Sequence, residues 1–314
     1  MTTPALSAHE LTKTFGEGDI AVFAVRDVDL DLHPGEVVLV DGPSGSGKTT
    51  LLLMLGGLLA PTAGSVTVGD TDLWAIPERR RPAIRARRFG FVFQDFNLLA
   101  ALSVLENIEI AANLAGTVGA KARQRAEAVL DRVGLSKRAR FRPDQLSGGE
   151  KQRLAVARAL VNDPAVILAD EPTANLDSGN GRQVARLLRD HANEDGRSVL
   201  IVTHDSRLHD IADRLLWLED GSIRALDTLV IDPVCQMTVR PADNPHYEYS
   251  GEVRWFCSTG CRDEFVADPN RFLSQPDAEI QPRRDAIQAE ASTMPTGSAR
   301  RSAAERPHDE EMRT

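Results

Sequence analysis

The feature that most constrains this chain is the nine-residue segment GPSGSGKTT at residues 42–50. An apolar, β-branched run precedes it at residues 37–40, and a leucine-rich run follows at residues 51–55. This order predicts a buried strand, a tight loop and a buried helix, which is the context that the spacing G-x-x-x-x-G-K-[ST] needs in order to bind nucleotide phosphates. We therefore predict an α/β fold with a nucleotide site at this loop.

Each residue type in the loop has a physical reason to be there. The glycines allow backbone conformations and close approaches that a Cβ atom would block. Backbone N–H groups and the helix N-terminus present positive dipoles to phosphate, Lys48 is expected to reach the β- and γ-phosphates, and the Thr49 hydroxyl is expected to bind Mg²⁺. The predicted phosphate-binding residues are Gly42, Pro43, Ser44, Gly45, Ser46, Gly47, Lys48, Thr49 and Thr50.

Composition limits the classes of protein to which the chain can belong. Its 314 residues suffice for one large domain, or for a large domain with a small one. A net charge of −9 argues against general nucleic-acid binding. The longest apolar run, residues 51–60, is interrupted by two glycines and is shorter than the roughly 18 residues that span a bilayer. Without a secretory pattern at the start, the expectation is a soluble cytoplasmic protein.

Hydrophobic periodicity predicts an alternating α/β chain with an insert. Residues 95–158 carry helical patterns and are predicted to form a helical insert. Ser103 and Glu106 form a capping box that predicts the start of one of its helices. Besides the strand at residues 37–40, the predicted strands are residues 6–15, 20–32, 65–68, 89–93, 166–169 and 199–202. Besides the helix that follows the phosphate-binding loop, the predicted helices are residues 103–114, 120–133 and 154–160.

Polar residues follow three of the predicted buried strands. Gln94 follows the strand at residues 89–93, and the pair Asp170-Glu171 follows the strand at residues 166–169. Adjacent carboxylates at a strand end suit one of them to hold Mg²⁺ and the other to orient or deprotonate an attacking water. His204 follows the last predicted strand, at the edge where α/β sheets bind ligands, although a single histidine is more often structural.

Two further segments have alternative interpretations. Phe15 lies at the edge of a predicted hairpin, where its ring is equally consistent with stacking on adenine and with core packing. Residues 79–88 include six arginines, which indicate either a solvated face or contact with anionic headgroups at a membrane surface.

The segment Ser147-Gly148-Gly149, at a predicted helix N-terminus, is an anion-binding arrangement.

These residues together resemble the ATP-binding cassette ATPases over about residues 5–226. The segment LSGGEKQ at residues 146–152 looks like the signature motif of that family. The segments FVFQDFNLL at residues 91–99 and ADEPTANLDS at residues 169–178 look like its MacB/LolD-type subgroup, which drives macrolide export and lipoprotein release. The resemblance implies a phosphate-loop fold with a mixed sheet core, an antiparallel β subdomain and an inserted helical subdomain.

The resemblance also implies roles for single residues. Phe15 would stack on adenine, where the subgroup more often has tyrosine. Gln94 would contact Mg²⁺ and the lytic water, and Asp170 would hold Mg²⁺. Glu171 would be the general base, and His204 would contact the γ-phosphate.

A dimer and a membrane partner are implied as well. Ser147, Gly148 and Gly149 of one subunit would close on the ATP held by the phosphate loop of a second copy. Asp177 would lie in the loop that communicates across this dimer. The helical insert would press on a separate transmembrane permease, which places the protein at the inner face of the cell membrane as a peripheral subunit.

The C-terminal part of the chain differs in character. All three cysteines lie between residues 235 and 261, and the segment at residues 230–273 resembles the YHS domain, a small α+β metal-binding module. Cys257 and Cys261 have a spacing that lets them share a metal, with Cys235 as a third ligand, and thiolates favour Zn²⁺ or Cu⁺. The alternative is three reduced structural cysteines.

Some details of this module stay open. Gln236 stands where the family usually has glycine, and a fourth ligand is not evident, although His246 is a candidate. The predicted organisation is an ATP-binding domain at residues 1–228, a metal-binding module at residues 229–274 and a disordered tail at residues 275–314, which is poor in large apolar residues.

The leading functional hypothesis is the ATP-hydrolysing subunit of a transporter that exports a cargo or extracts it from a membrane, with a link to heavy metals. One alternative keeps the ATPase but has it signal through a membrane partner to cell-wall enzymes. A second is a metal-responsive switch with little turnover. Lys48 and Glu171, the hydrolytic residues, are both present, which favours turnover.

Overall fold

The computed structural model describes residues 3–225, 230–235, 238–239 and 244–273. The predicted domain boundary at residues 228 and 229, Gln236 and the predicted tail at residues 275–314 lie outside the described residues. Met1–Pro269 form one compact unit, and a second unit begins at Asn270. Among the described residues, no helix is both long enough and apolar enough to span a bilayer.

The larger part of the fold alternates strands and helices, as the periodicity predicts. Its strands are β1 Leu6–Phe15, β2 Val22–Leu32, β3 Val37–Asp41, β4 Ala63–Val68, β5 Thr71–Asp72, β6 Phe89–Val92, β7 Val166–Asp170, β8 Ser198–Val202, β9 Arg214–Glu219 and β10 Ser222–Ala225. Its helices are α1 Lys48–Leu55, α2 Arg81–Arg88, α3 Val104–Leu114, α4 Ala120–Arg132, α5 Gly148–Leu160 and α6 Ser178–Asp195.

A six-stranded sheet with the order β10-β9-β3-β8-β7-β6 forms the centre of this part. Strands β9, β3, β8, β7 and β6 run parallel, and β10 pairs antiparallel with β9 at the edge. Strand β3 is buried along its whole length. Val38 and Val40 pack into one core and Val37 and Leu39 into another, because successive side chains of a strand point to opposite faces.

Three apolar cores surround this sheet. One lies between the sheet, helix α1 and a second, antiparallel sheet with the order β2-β1-β4-β5. The core on the opposite face includes side chains of α5 and α6. The third core joins α3, α4 and α5, which is the predicted helical insert. The mixed central sheet, antiparallel sheet and helical insert are the architecture that the sequence predicted.

Local signals placed some element ends correctly and others wrongly. The capping box is present, since the Ser103 hydroxyl accepts from the Glu106 backbone N–H and the Glu106 carboxylate accepts from that of Ser103. Helix α5 begins at Gly148 with Ser147 as its cap, which agrees with the predicted helix N-terminus at Ser147-Gly148-Gly149, although the predicted helical pattern covered only residues 154–160. Strand β4 begins at Ala63 rather than at Ser65, because Ala63 pairs with Thr12 of β1.

The arginine-rich segment forms α2 and serves partly as a structural brace. Arg85 donates to the Gly57 carbonyl at 2.9 Å, and Arg87 donates to the Ala115 carbonyl at 3.2 Å. The Arg81 guanidinium stacks over the Trp74 ring at 4.6 Å from its centroid. Neither of the two predicted interpretations included these bonds to backbone carbonyls, which tie α2 to the turn after α1 and to the end of α3.

A small module follows the larger part of the fold in sequence. Its elements are β11 Val230–Ile231, β12 Thr238–Val239, β13 His246–Tyr249, β14 Glu252–Trp255, α7 Thr259–Ala267 and α8 Pro269–Leu273. The strands form two separate antiparallel pairs, β11 with β12 and β13 with β14. Phe256 and Phe265 are fully buried, with ring centroids 5.2 Å apart, and Tyr249 meets Phe265 edge-on. So few large buried side chains give little hydrophobic stabilisation.

The close packing of α1 against the sheet generates a test of the fold. A Cβ atom at Gly56 would lie 2.5 Å from the Phe91 ring, although the backbone there has an ordinary negative φ of −82°. We expect Gly56→Ala to lower the free energy of unfolding by about 1–3 kcal/mol, because the core must shift to admit the methyl group. Denaturant unfolding followed by circular dichroism measures this loss.

The matched control for this test is Gly148→Ala. The nearest atom to a Cβ atom at Gly148 would be the Asn175 carbonyl oxygen, at an ordinary 3.7 Å. In that variant the free energy of unfolding should stay within about 0.5 kcal/mol or rise, since alanine is the better helix former. Equal losses in the two variants would contradict the packing argument.

Candidate functional site

The loops that follow β3, β8, β7 and β6 meet at one edge of the central sheet. The Thr203 backbone N–H donates to the Val40 carbonyl at 3.0 Å. The Glu171 backbone N–H donates to the Val202 carbonyl at 2.9 Å. The carboxyl ends of these parallel strands are the edge at which open α/β sheets bind ligands.

The phosphate loop forms a cradle of the kind that a phosphate chain fills. A Cβ atom at Gly42 would lie 2.1 Å from the Leu218 carbonyl oxygen. A Cβ atom at Gly47 would lie 2.0 Å from the Ala24 carbonyl oxygen, so only glycine fits at either position. The Lys48 ammonium group donates to the carbonyls of Gly42 and Pro43 at 2.7 and 2.9 Å, across the loop.

The remaining predicted residues of the loop differ in exposure. The Ser46 hydroxyl is buried and has no hydrogen-bond partner among the described residues, which fits a loop that receives a polar ligand. Pro43, Ser44 and Gly45 are exposed at its tip, and Thr50 is half-buried in the first turn of α1. The loop therefore combines a rigid backbone with polar groups at its open side.

Thr49 and Asp170 are brought together from α1 and the end of β7. The Thr49 hydroxyl lies 3.2 Å from Asp170 Oδ1. Burial raises the pKa of Asp170 above its ordinary value, as does the adjacent Glu171 carboxylate, while Thr49 and Lys48 act in the opposite direction. A partly buried carboxylate beside a hydroxyl is an oxygen donor set that fits Mg²⁺.

Glu171 is held in one orientation at the same edge. Its Oε2 accepts from the Thr203 hydroxyl at 2.8 Å, and its Oε1 lies 2.7 Å from Nδ1 of His204. The backbone of Glu171 takes a φ of 44°, which is uncommon for a residue with a side chain. The His204 side chain is 65% exposed, whereas that of Glu171 is 11% exposed, so the imidazole faces solvent beside a sheltered carboxylate.

Gln94 and Phe15 lie in exposed positions. Gln94 follows β6, and its backbone carbonyl accepts from the Asn175 amide at 3.1 Å, which ties this loop to the one after β7. Phe15, the last residue of β1, is 45% exposed, with Lys13 Nζ 5.2 Å from its ring centroid. The Phe15 ring is therefore not packed into the core, and stacking on adenine stays a prediction.

The signature segment caps α5 and packs closely on α6. The Ser147 hydroxyl accepts from the Glu150 backbone N–H, and the Glu150 carboxylate accepts from that of Ser147 at 2.9 Å, which lowers the pKa of Glu150. Ser147 and Gly148 are exposed. A Cβ atom at Gly149 would lie 2.1 Å from Asn180 Oδ1, so glycine is required for the close approach of the two helices.

Asp177 has a structural role besides the predicted one. Its carboxylate caps α6 by accepting from the backbone N–H groups of Gly179 and Asn180, both at 2.9 Å, and the bonds to Asn180 lower the pKa of Asp177. The Asn180 amide also donates to Asp177 at 2.7 Å, while Asn180 Oδ1 accepts from Arg153 of α5. Asp177 is thereby linked to the signature helix.

Two acidic residues that support the site were missed by sequence reasoning. Asp41 Oδ1 accepts from the Gly42 backbone N–H at 2.6 Å, and its Oδ2 lies 3.1 Å from His209 Nε2. Asp205 accepts from the Thr173 hydroxyl at 2.6 Å. Burial acts to raise the pKa of Asp205, but hydrogen bonds from Arg207 and Thr173 lower it to about 2.

One of these two residues, Asp41, could have been recognised from the sequence. Asp41 is a charged residue at the last position of an otherwise apolar strand, which is unusual unless it has a specific partner. No local pattern indicates that its partner is His209, 168 residues further along the chain. The Asp41 carboxylate fixes the first N–H group of the phosphate loop and connects this loop to the segment after His204.

The three cysteines of the small module converge. The sulfur atoms of Cys235 and Cys257 are 3.4 Å apart, and those of Cys257 and Cys261 are 3.5 Å apart. These distances are far longer than a disulfide bond of about 2.05 Å. They are close to the sulfur–sulfur separation of about 3.8 Å expected for a tetrahedral zinc site with Zn–S bonds of about 2.3 Å.

Asp232 completes this group, and the sequence did not indicate it. A carboxylate oxygen of Asp232 and the three sulfur atoms all lie within 4.8 Å of one another. Asp232 is fully buried, and its Oδ2 accepts from the Cys257 backbone N–H at 2.8 Å. His246, the fourth ligand considered from sequence, is instead exposed and stacks against Trp255. The donor set of three thiols and one carboxylate fits a thiophilic metal ion.

Comparison with known proteins agrees with this geometry. The chain matches the family model described as ABC transporter over residues 25–174 and the one described as YHS domain over residues 230–276. The solved dimeric structure of MJ0796, a bacterial ABC transporter cassette, has a TM-score of 0.66 and 38% identity, with 71% of this chain and 99% of that chain covered.

Two groups of relatives differ in how much of their length the chain spans. The lipoprotein-releasing system ATP-binding protein LolD of Bacteroides fragilis (strain YCH46) is 45% identical over 68% of this chain and 97% of that protein. The macrolide export ATP-binding/permease protein MacB of Rhodopseudomonas palustris (strain HaA2) is 42% identical over 81% of this chain, which spans only 38% of that protein. The chain therefore belongs to the ABC transporter family, as an ATP-binding cassette of the MacB and LolD type with a YHS domain.

Proposed function

We propose that this protein is the ATP-hydrolysing subunit of an ABC transporter. The observation that carries the proposal is the meeting of two pairs at one sheet edge: Thr49 with Asp170, and Glu171 with His204. Thr49 belongs to the phosphate loop itself, whereas Asp170, Glu171 and His204 lie at or just after the ends of the neighbouring strands β7 and β8. This arrangement supplies what phosphoryl transfer to water needs, namely a phosphate cradle, a cation site and a positioned carboxylate.

In the proposed reaction, Glu171 orients the attacking water and accepts its proton. The water oxygen forms a bond to the γ-phosphorus of ATP, the bond from that phosphorus to the β,γ-bridging oxygen breaks, and ADP leaves with that oxygen. The Thr203 hydroxyl and the His204 ring hold the Glu171 carboxylate in place before the reaction. Lys48 and the backbone N–H groups of the loop neutralise charge on the phosphates.

The donor groups at this edge are suited to Mg²⁺. Thr49 and Asp170 would hold it, with Gln94 reaching it from the end of β6. When bound, the ion would neutralise the charge that develops on the phosphate oxygens. The chain's own contribution is to keep the Thr49 hydroxyl and the Asp170 carboxylate 3.2 Å apart on two elements of the same rigid core.

The proposal includes a dimer and a separate membrane subunit. MJ0796, which is similar to this chain, has been solved as a dimer bound to ADP and Pi in a post-hydrolysis state. In our proposal the exposed Ser147 and Gly148 of one copy, with Gly149, close on the nucleotide of the other. The similarity to LolD and MacB supports export or extraction of a cargo through a permease at the inner face of the cell membrane.

The YHS domain supports a second proposed activity, the binding of a thiophilic metal ion. Cys235, Cys257 and Cys261 would be ligands, since their sulfur atoms already converge without a disulfide. The bound ion would also stabilise a module whose apolar core is small. Its presence next to the cassette supports a heavy-metal link, either in cargo or in regulation, and Zn²⁺ and Cu⁺ are the ions its sulfur donors favour.

The assignment of the general base leads to a direct test. We expect Glu171→Gln to lower ATP turnover by at least about 100-fold, because the amide cannot accept a proton from water. ATP binding should persist, since the phosphate loop is unchanged. The variant should therefore accumulate as an ATP-bound dimer, measured by size-exclusion chromatography with light scattering alongside phosphate release.

Glu127→Gln is the matched control for this variant. Glu127 is exposed on α4, where it pairs with Arg123. Within the part of the chain that the structure describes, it makes no contact with the site. This variant should hydrolyse ATP at the wild-type rate and should not accumulate as a dimer. Turnover by Glu171→Gln at more than a tenth of the wild-type rate would show that another group accepts the proton.

Metal binding by the YHS domain is tested by elemental analysis of protein purified without oxygen. We expect about one thiophilic metal ion per wild-type chain and its loss in Cys257→Ser, because Cys257 lies between the other two sulfur atoms. His246→Ala is the control and should keep the metal, since His246 is outside the cluster. A metal-free wild type, or retention of metal by Cys257→Ser, would contradict the proposed site.

A further inference from the structure

Asp232 is positioned as a ligand rather than as a surface carboxylate. It is fully buried, and an oxygen of its carboxylate lies within 4.8 Å of all three cysteine sulfur atoms. A buried ionised carboxylate is costly unless it is hydrogen-bonded or coordinates a metal ion. The chain keeps this carboxylate among three thiols, where a metal ion held by the sulfur atoms would compensate its charge.

The orientation of the Asp232 carboxylate is set by the backbone. Oδ1 accepts from the Val234 N–H and Oδ2 from the Cys257 N–H, both at 2.8 Å. Each carboxylate oxygen has two lone pairs, so its one backbone bond does not use all of its acceptor capacity, and the oxygen can still serve as a ligand once the neighbouring thiols are ionised.

The mixture of donors decides which ion the site suits. Three thiolates and one carboxylate carry four negative charges and offer four donors, the coordination number that Zn²⁺ takes in structural sites. Zn²⁺ accepts both thiolate and carboxylate ligands, whereas Cu⁺ is selected by soft sulfur donors. A monovalent ion would also leave one more negative charge uncompensated in the same buried volume.

We propose that Asp232 shifts the ion preference of the YHS domain of this protein towards divalent thiophilic ions, with Zn²⁺ as the reference case, relative to Cu⁺. The inference rests on the metal-binding activity proposed above and narrows its choice of ion. The simpler alternative is that Asp232 only clamps the backbone of Cys257. A clamp would support every metal that uses the three sulfur atoms, and would therefore not discriminate between ions.

Affinities for the two ions, measured on the full-length chain, separate these roles. Zn²⁺ and Cu⁺ are titrated under anaerobic conditions against chelators of known affinity, with wild type and Asp232→Asn. We expect Asp232→Asn to weaken Zn²⁺ binding by at least about 10-fold. Its affinity for Cu⁺ should change by less than about threefold, because the three sulfur donors remain.

Ser258→Ala is the matched control within the same site. The Ser258 hydroxyl accepts from the Cys261 backbone N–H at 3.2 Å and caps α7, so it supports a cysteine without being among the four convergent donors. This variant should weaken the binding of both ions by the same factor. Comparing the two ions on one protein sample also removes the effect of any loss of folded protein.

The outcomes are distinct. Equal losses for both ions in Asp232→Asn, or no loss for either, would overturn the role of Asp232 in ion choice while leaving metal binding by the cysteines intact. A wild type that binds neither ion would instead overturn the metal-binding activity on which this inference rests.

Discussion

The candidate ATP site depends on hydrogen bonds that join the ends of neighbouring parallel strands. Val40 accepts from Thr203, and Val202 accepts from Glu171, so the last residues of β3, β8 and β7 are held in one register. Because each strand is buried on both faces, it cannot slide without exposing apolar side chains. The functional groups carried by the three loops therefore keep fixed separations without a ligand to arrange them.

The same edge shows how Glu171, the proposed general base, is held by residues that have no part in the proposed reaction. Thr203 donates to Glu171 and accepts from the Asp205 backbone N–H, and Asp205 in turn accepts from Thr173. Asp41 holds the first N–H group of the phosphate loop. Such supporting shells position reacting groups within a few tenths of an ångström, which is what transition-state stabilisation requires.

The two proposed activities rely on different physics. The cassette has three apolar cores and needs no ligand to define its architecture. The YHS domain buries few large side chains but gathers three sulfur atoms and a buried carboxylate into one cluster. With the proposed ion bound, a domain of that size would gain much of its stability from metal coordination, so its folding and its binding of the ion would be coupled.

Motifs predicted most of the site, because their spacing reflects local backbone geometry. The phosphate loop, the strand that delivers Glu171 and the helix capped by Ser103 were all identified without a structure. Errors arose where a long-range partner decided the outcome. Strand β4 begins before its predicted first residue because Ala63 pairs with Thr12. Gly149 has a packing role, because α5 lies so close to Asn180 that a side chain would not fit, and no local pattern indicates this.

By itself the sequence determined which residue types carry the chemistry, because a phosphate loop, a carboxylate pair at a strand end and clustered cysteines each require a fixed local spacing. Only the tertiary structure decided which of them meet. It paired Thr49 with Asp170 across 121 residues and Asp41 with His209 across 168, and it supplied Asp232 as the fourth donor of the cysteine cluster. The reason is that coordination and proton transfer depend on distances of about 3 Å between side chains, and those distances follow from the packing of whole elements.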